Sequence, residues 1–121
     1  MHIKLDKDYE VKTTLGTIRD VEKTFGKGFF ELAGEITKMT IDEQVKLIYV
    51  GVRKANPDLT EEKFISLFEE HLGIGDLMEL LEKYMYGLQY PGLSEEEVQD
   101  RIQKKLLRNR EMREQGLIGA K

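Results

Sequence analysis

Polar and apolar residues alternate at the beginning of the chain, in the stretch HIKLDKDYEVK that starts at residue 2. Ile3 and Leu5 precede an Asp6-Lys7-Asp8 turn, and Tyr9 and Val11 follow it, so these apolar side chains fall on one face. This alternation predicts a short N-terminal β-hairpin. Because two strands alone are marginally stable in water, we expect the hairpin to lie against the rest of the protein.

From Thr14 onward the apolar residues recur at spacings of three and four, which is typical of amphipathic helices. Each run of this kind predicts one helix and the face that it buries. In chain order the predicted inner faces are Leu15, Ile18, Val21 or Glu22, and Phe25; Phe29, Phe30, Leu32, Ala33 and Ile36; Ile41, Val45, Ile48 and Val52; Phe64, Ile65, Phe68 and Leu72; and Leu77, Leu80, Leu81, Tyr84 and Leu88.

Residues that begin and end helices agree with this apolar spacing. Serine or threonine three residues before glutamate forms a capping box, and a glycine or proline often follows the last helical turn. Leu59 and Leu93, each just before a cap, are placed to staple onto Phe64 and Val98. The predicted structural residues are Gly26 and Gly73 as helix ends, Gly28 as the re-entry into a helix, Thr40 with Glu43 and Ser94 with Glu97 as capping boxes, Thr60 as a cap, and Pro57 as a stop.

The last predicted helix, from Ser94 to about Gln115, has a different pattern. Its apolar positions are fewer and form a narrow seam along the helix. Such a seam is typical of a helix that meets a single partner helix and not of one packed in a core. The seam consists of Val98, Ile102, Leu106 or Leu107, and Met112, surrounded by Arg101, Lys104, Lys105, Arg108, Arg110 and Arg113.

These patterns predict a mainly α protein. We expect a single compact helical domain of about five or six helices, with the N-terminal β-hairpin and a long, partly projecting C-terminal helix. Residues 1–93 would form the hairpin and helical core, and residues 94–121 the charged C-terminal helix and a short tail.

Composition narrows the function classes. The chain has 121 residues, enough for one domain, and no cysteine, which excludes disulfides, thiolate metal sites and cysteine nucleophiles. Its net charge of −4 is a poor basis for nucleic-acid binding. No segment approaches the roughly 18 apolar residues that a membrane span requires, so we expect a soluble, intracellular protein with no membrane partner.

The stretch TFGKGFF, residues 24 to 30, raises the question of phosphate binding. A P-loop needs G-x-x-x-x-G-K-[ST], but Lys27 is followed by Gly28 and Phe29, and no strand is predicted before the glycines. His71 lies at a helix end without a second ligand at helical spacing, where a structural role is favoured. The sequence therefore predicts no catalytic, metal or cofactor-binding residues, and we expect that the protein is not an enzyme.

Two groups of residues are candidates for partner binding. Met78, Met85 and Tyr86 fall partly off the buried stripe of their helix; core packing is their favoured use, and an exposed recognition patch is the alternative. On the last helix the candidates are Val98, Ile102, Leu106, Arg101 and Lys105. For its basic residues a solvated face is favoured over nucleic-acid contact, because Glu111 and Glu114 interrupt them.

The order of elements from about residue 9 to residue 90 resembles the tail assembly chaperones of long-tailed bacteriophages. Members of that family commonly show an apolar-x-x-Leu-Glu segment that closes on glycine, then a helix that ends near Asn-Pro or Asp-Pro, then a Leu-Thr start to the next helix. Here the matching residues are Ile18, Val21 (where leucine is usual), Glu22 and Gly26, then Leu47, Val52, Asn56, Pro57, Leu59 and Thr60.

The resemblance implies a non-catalytic protein that binds the tape measure protein, keeps it soluble and helps to recruit tail tube protein during virion assembly. It also implies a location in the bacterial host cytoplasm, outside the mature virion, and in many phages a frameshifted longer form. The narrow apolar seam makes self-association a further possibility. The alternative interpretation is a helical regulatory or nucleic-acid-associated adaptor that uses the basic segment 101–113.

Overall fold

The computed structural model describes residues 1–114, apart from the side chains of residues 109 and 111–114. Two strands, β1 (His2–Lys4) and β2 (Asp8–Glu10), precede six helices in this part of the chain. The helices are α1 (Leu15–Phe25), α2 (Phe29–Glu35), α3 (Ile41–Ala55), α4 (Glu61–His71), α5 (Ile74–Gln89) and α6 (Glu95–Glu114), with a 3-10 turn at Ile36–Lys38 between α2 and α3. The predicted mainly α fold with an N-terminal hairpin is confirmed.

The hairpin is antiparallel, and Ile3 pairs with Tyr9. Both side chains are buried, as are Leu5 and Val11, so the predicted apolar face is confirmed and is turned to the helices. The turn was predicted one residue too late, because it comprises residues 5–7 and Asp8 belongs to β2 and pairs with Lys4. The Tyr9 hydroxyl donates to Asp6 Oδ1 at 2.8 Å, which lowers the pKa of that carboxyl and fixes the turn.

Helix α3 lies at the centre of the fold and contacts β2, α1, α4 and α5. Apolar spacing predicts one buried face, but every residue from 47 to 52 is buried. Ile41, predicted to be buried, is instead exposed at the first turn. A helix surrounded by neighbours has no solvated face over its middle, and for that reason its apolar residues run without interruption.

Local sequence determines where the helices begin and end. Thr40 accepts a hydrogen bond from the Glu43 amide and Glu43 accepts one from the Thr40 amide, as predicted. Thr60 caps α4, and α3 ends just before Pro57. Gly26 closes α1 in the left-handed conformation, with φ of 67°. Gly73 was predicted to end α4; it is instead the N-cap of α5, and its amide donates to Asp76 Oδ2.

The extended segment after β2 lies close to both α3 and α5. The Lys12 amide donates to the Gly51 carbonyl at 3.0 Å, and the Thr17 hydroxyl donates to the Lys12 carbonyl. A Cβ atom added at Gly51 would lie 2.8 Å from the Lys12 carbonyl oxygen and 2.8 Å from a ring carbon of Tyr84. Opposite, a Cβ atom at Gly87 would lie 3.1 Å from Thr13. Glycine on both helices thus lets the segment run between α3 and α5.

We predict that Gly51→Ala lowers the free energy of unfolding by about 2 kcal/mol or more, because the added methyl group meets backbone that cannot move aside. The matched control is Gly34→Ala in α2, where nothing lies within 4 Å of the added atom. Alanine there should raise stability by up to about 1 kcal/mol through helix propensity. Urea denaturation of both variants measures the difference, and equal stability would contradict the tight approach.

Tyr84 is fully buried, and its hydroxyl has no hydrogen-bond partner among the described residues. Burial raises its pKa, with the nearby Gly51 backbone opposing the rise, so the group stays neutral. We predict that Tyr84→Phe leaves stability unchanged or raises it by about 1 kcal/mol, because the cost of an unsatisfied hydroxyl disappears. Tyr49→Phe is the control: its hydroxyl donates to the Leu59 carbonyl at 2.6 Å, and its loss should cost about 1 kcal/mol. Denaturation midpoints that rank the two variants in the opposite order would refute this assignment.

Candidate partner-binding surfaces

Helix α6 packs against α5. Val98 and Ile102, predicted as contacts for a partner, are only 4% and 6% exposed. Most of their surface is covered by α5, so the single partner helix expected from the narrow seam is supplied by the chain itself. Leu106 and Leu107, farther along the seam, remain exposed. Met112 and Arg113 were also placed on this helix, but their side chains lie outside the described part of the chain.

Tyrosines on α5 meet basic residues on α6. The Arg101 guanidinium lies 5.1 Å from the centre of the Tyr90 ring, and Lys105 Nζ lies 5.9 Å from the centre of the Tyr86 ring. Contacts of this length are cation–π interactions, which attract a cation to the face of the ring. Three of the predicted partner-binding residues, Tyr86, Arg101 and Lys105, therefore hold the α5–α6 pair together.

The beginning of α6 is fixed at two points. Ser94 and Glu97 exchange the hydrogen bonds of the predicted capping box, and the bonds from Ser94 lower the pKa of the Glu97 carboxyl. The Glu95 carboxylate accepts a hydrogen bond from the His2 amide and lies 3.8 Å from the amino group of Met1. The first turn of α6 is thus held against the hairpin.

A groove of about 730 Å³ lies between the first half of α5 and the middle of α6. Met78, Ile102 and Leu106 line it, so the structure brings together three of the predicted partner-binding residues. Met78 and Leu106 are 65% and 60% exposed. Met85, also predicted there, instead packs partly buried against the core.

A second apolar groove, of about 590 Å³, was not predicted. We call it the Phe30 groove. Its residues come from α1, α2 and the end of α5: Leu15, Ile18, Glu22, Phe29, Phe30, Leu88, Gln89, Tyr90 and Pro91. Phe30 is 86% exposed and Leu15 70% exposed, whereas the helical spacing placed both on buried faces.

The corner between α1 and α2 explains the position of Phe30. Gly28 is the N-cap of α2 and has no side chain to accept from the helix amides. Glu22 on α1 replaces it, because its Oε2 accepts from the Phe29 amide at 2.8 Å. Phe29 then packs in the core while Phe30, one residue farther along the helix, points to solvent. Its ring centre lies 5.6 Å from that of Phe29 in an edge-to-face arrangement.

A smaller apolar cleft of about 170 Å³ lies between the beginning of α3 and the α4–α5 junction. Its exposed members are Ile41 and Ile74, and Phe68 and Leu77 form its buried side. Asp42 and Glu69 stand at its edge. The predicted inner face of α3 therefore continues to the surface here.

Lys27, the centre of the glycine-rich corner, does not gather phosphate-binding groups around it. Its Nζ lies 2.9 Å from Glu35 Oε1, and this carboxylate raises the pKa of the lysine. His71 Nδ1 lies 3.0 Å from the Leu67 carbonyl, in a helix-end position. Among the side chains that the structure describes, no group of three or more potential metal ligands comes together.

Comparison of the chain with protein-family models, with curated proteins and with solved structures returns no match. Among the described residues, no helix is both long and apolar enough to cross a membrane.

We predict that the two tyrosine–cation pairs each contribute about 0.5–1 kcal/mol to the docking of α6. A double-mutant cycle with Tyr90→Leu and Arg101→Gln measures the coupling between the two residues, since leucine keeps the apolar bulk and glutamine keeps the chain length. Gln103→Ala, at an exposed position of α6, is the control paired with Tyr90→Leu. A coupling energy of zero for Tyr90 and Arg101 would show that the pair does not hold the helix.

Proposed function

We propose that this protein is a bacteriophage tail assembly chaperone. In this role it binds the tape measure protein in the bacterial host cytoplasm, keeps it soluble, and helps to recruit tail tube subunits during virion assembly. The activity is non-catalytic and consists of protein binding.

The observation that carries the proposal is the Phe30 groove. In this groove Phe30 is 86% exposed and Leu15 is 70% exposed. Exposed apolar side chains of this size lower the solubility of a protein unless a partner covers them. Both residues and the rest of the groove lie within the part of the chain, residues 9 to 90, whose pattern resembles the chaperone family, apart from Pro91 at its edge.

The shape of the surface suits a helical partner. A tape measure helix presents an apolar stripe to water, and a groove between helices can cover such a stripe with anchors at helical spacing. Phe30 and Tyr90 supply aromatic area, which dominates binding energy at protein interfaces. Glu22 is the charged residue in the groove, and its carboxylate is already bonded to the Phe29 amide, so apolar contact would determine binding here.

Part of the basic helix is already engaged within the protein. Arg101 and Lys105 stand over tyrosine rings of α5, and Lys104 forms an ion pair with Asp100 at 3.0 Å. Basic residues engaged within the protein are less free to neutralise phosphates. We therefore advance the chaperone function alone.

Co-expression tests the proposal. We expect a tape measure fragment from the same genome to be soluble with the wild-type protein and to precipitate with Phe30→Asp, because a charge in the apolar interface replaces the anchor. The affinity of this variant for the fragment should fall by more than about thirtyfold, which corresponds to about 2 kcal/mol for a buried aromatic side chain. Solubility of the fragment after centrifugation is the measurement.

The matched control is Ser66→Asp, which adds the same charge at an exposed position of α4 outside the grooves. It should behave like the wild-type protein. A fragment that is equally insoluble with and without the wild-type protein would overturn the proposed function, whereas equal rescue by both variants would overturn only the assignment of the groove.

A further inference from the structure

The groove between α5 and α6 differs from the Phe30 groove in its charge. Its floor is apolar, formed by Met78, Ile102 and Leu106. Its α5 side carries Asp76, Glu79 and Glu82, spaced three residues apart so that they follow one edge of the helix. Lys83 is the one basic residue among those that line it.

The acidic edge is available for an external partner. Asp76 accepts from the Gly73 amide at the first turn of α5, but Glu79 and Glu82 form no ion pair with any residue that the structure describes. Both are exposed. Their charges would meet a ligand beside the apolar residues that line the same groove.

We propose that this α5–α6 groove binds a protein helix whose apolar stripe is edged by lysine or arginine. The apolar floor would contact the apolar stripe of the bound helix. The acidic edge would favour a helix with basic residues beside that stripe, because the carboxylates would repel an acidic helix. The Phe30 groove has no such edge and binds without this selection. The proposal rests on the proposed function only in taking a protein helix as the partner; its charge preference is independent of that function.

A pair of synthetic helical peptides tests the charge preference. Both carry leucines at i, i+3, i+4 and i+7; one has lysines beside the stripe, and the other has glutamates at the same positions. Fluorescence anisotropy with the full chain should give roughly tenfold tighter binding of the lysine peptide, the sum of a few exposed ion pairs, and a smaller preference at high salt.

The decisive variant is Glu79→Lys with Glu82→Lys, which should abolish or reverse the preference. The matched control is Asp58→Lys with Glu70→Lys, which changes the net charge equally at exposed positions outside the groove and should keep the preference. Met78→Asp should weaken the binding of the lysine peptide, because it removes apolar floor.

The outcomes separate this proposal from the proposed function. If the Glu79 and Glu82 variant keeps the preference for lysine, or if neither peptide binds the wild-type protein, the assignment of the groove is overturned. A tape measure fragment that stays insoluble while the peptide preference follows Glu79 and Glu82 would instead overturn the chaperone function and leave the groove intact.

Discussion

The whole fold depends on how closely an extended segment can approach two helices at once. The backbone around Lys12 is hydrogen bonded to the carbonyl of Gly51 on α3, and Thr13 lies against Gly87 on α5. Any side chain at Gly51 would push this segment and Tyr84 away. Interiors are packed too densely to absorb such a displacement, so these glycines determine the spacing of α3 and α5.

Helix α5 connects this close contact in the core to the protein surface. One face of it enters the core through Leu77, Leu81, Tyr84 and Leu88, and another carries the tyrosines that meet α6. Its first half forms the acidic wall of one groove, and its last turn closes the other. Both proposed binding surfaces therefore include residues of α5. Because they share this helix, their relative positions are fixed.

Sequence reasoning succeeded where structure is determined locally. The Thr40 and Ser94 boxes and the Gly26 corner were predictable because each involves residues within one turn. It failed where the burial of a side chain depends on which distant element packs against it. Apolar spacing predicted a buried face for α2 and a narrow seam for α6, but only the tertiary structure shows that α6 packs against α5 while Phe30 on α2 stays exposed.

The side chain of Glu22 has a consequence for dynamics. Because α2 has no capping side chain of its own, its first turn depends on a carboxylate that belongs to α1. Opening of that single bond would leave the first turn of this seven-residue helix without a cap, while Leu32 keeps the rest of the helix in the core. The turn that presents Phe30 would then be the part of α2 that opens most easily, and it could adjust to a bound helix.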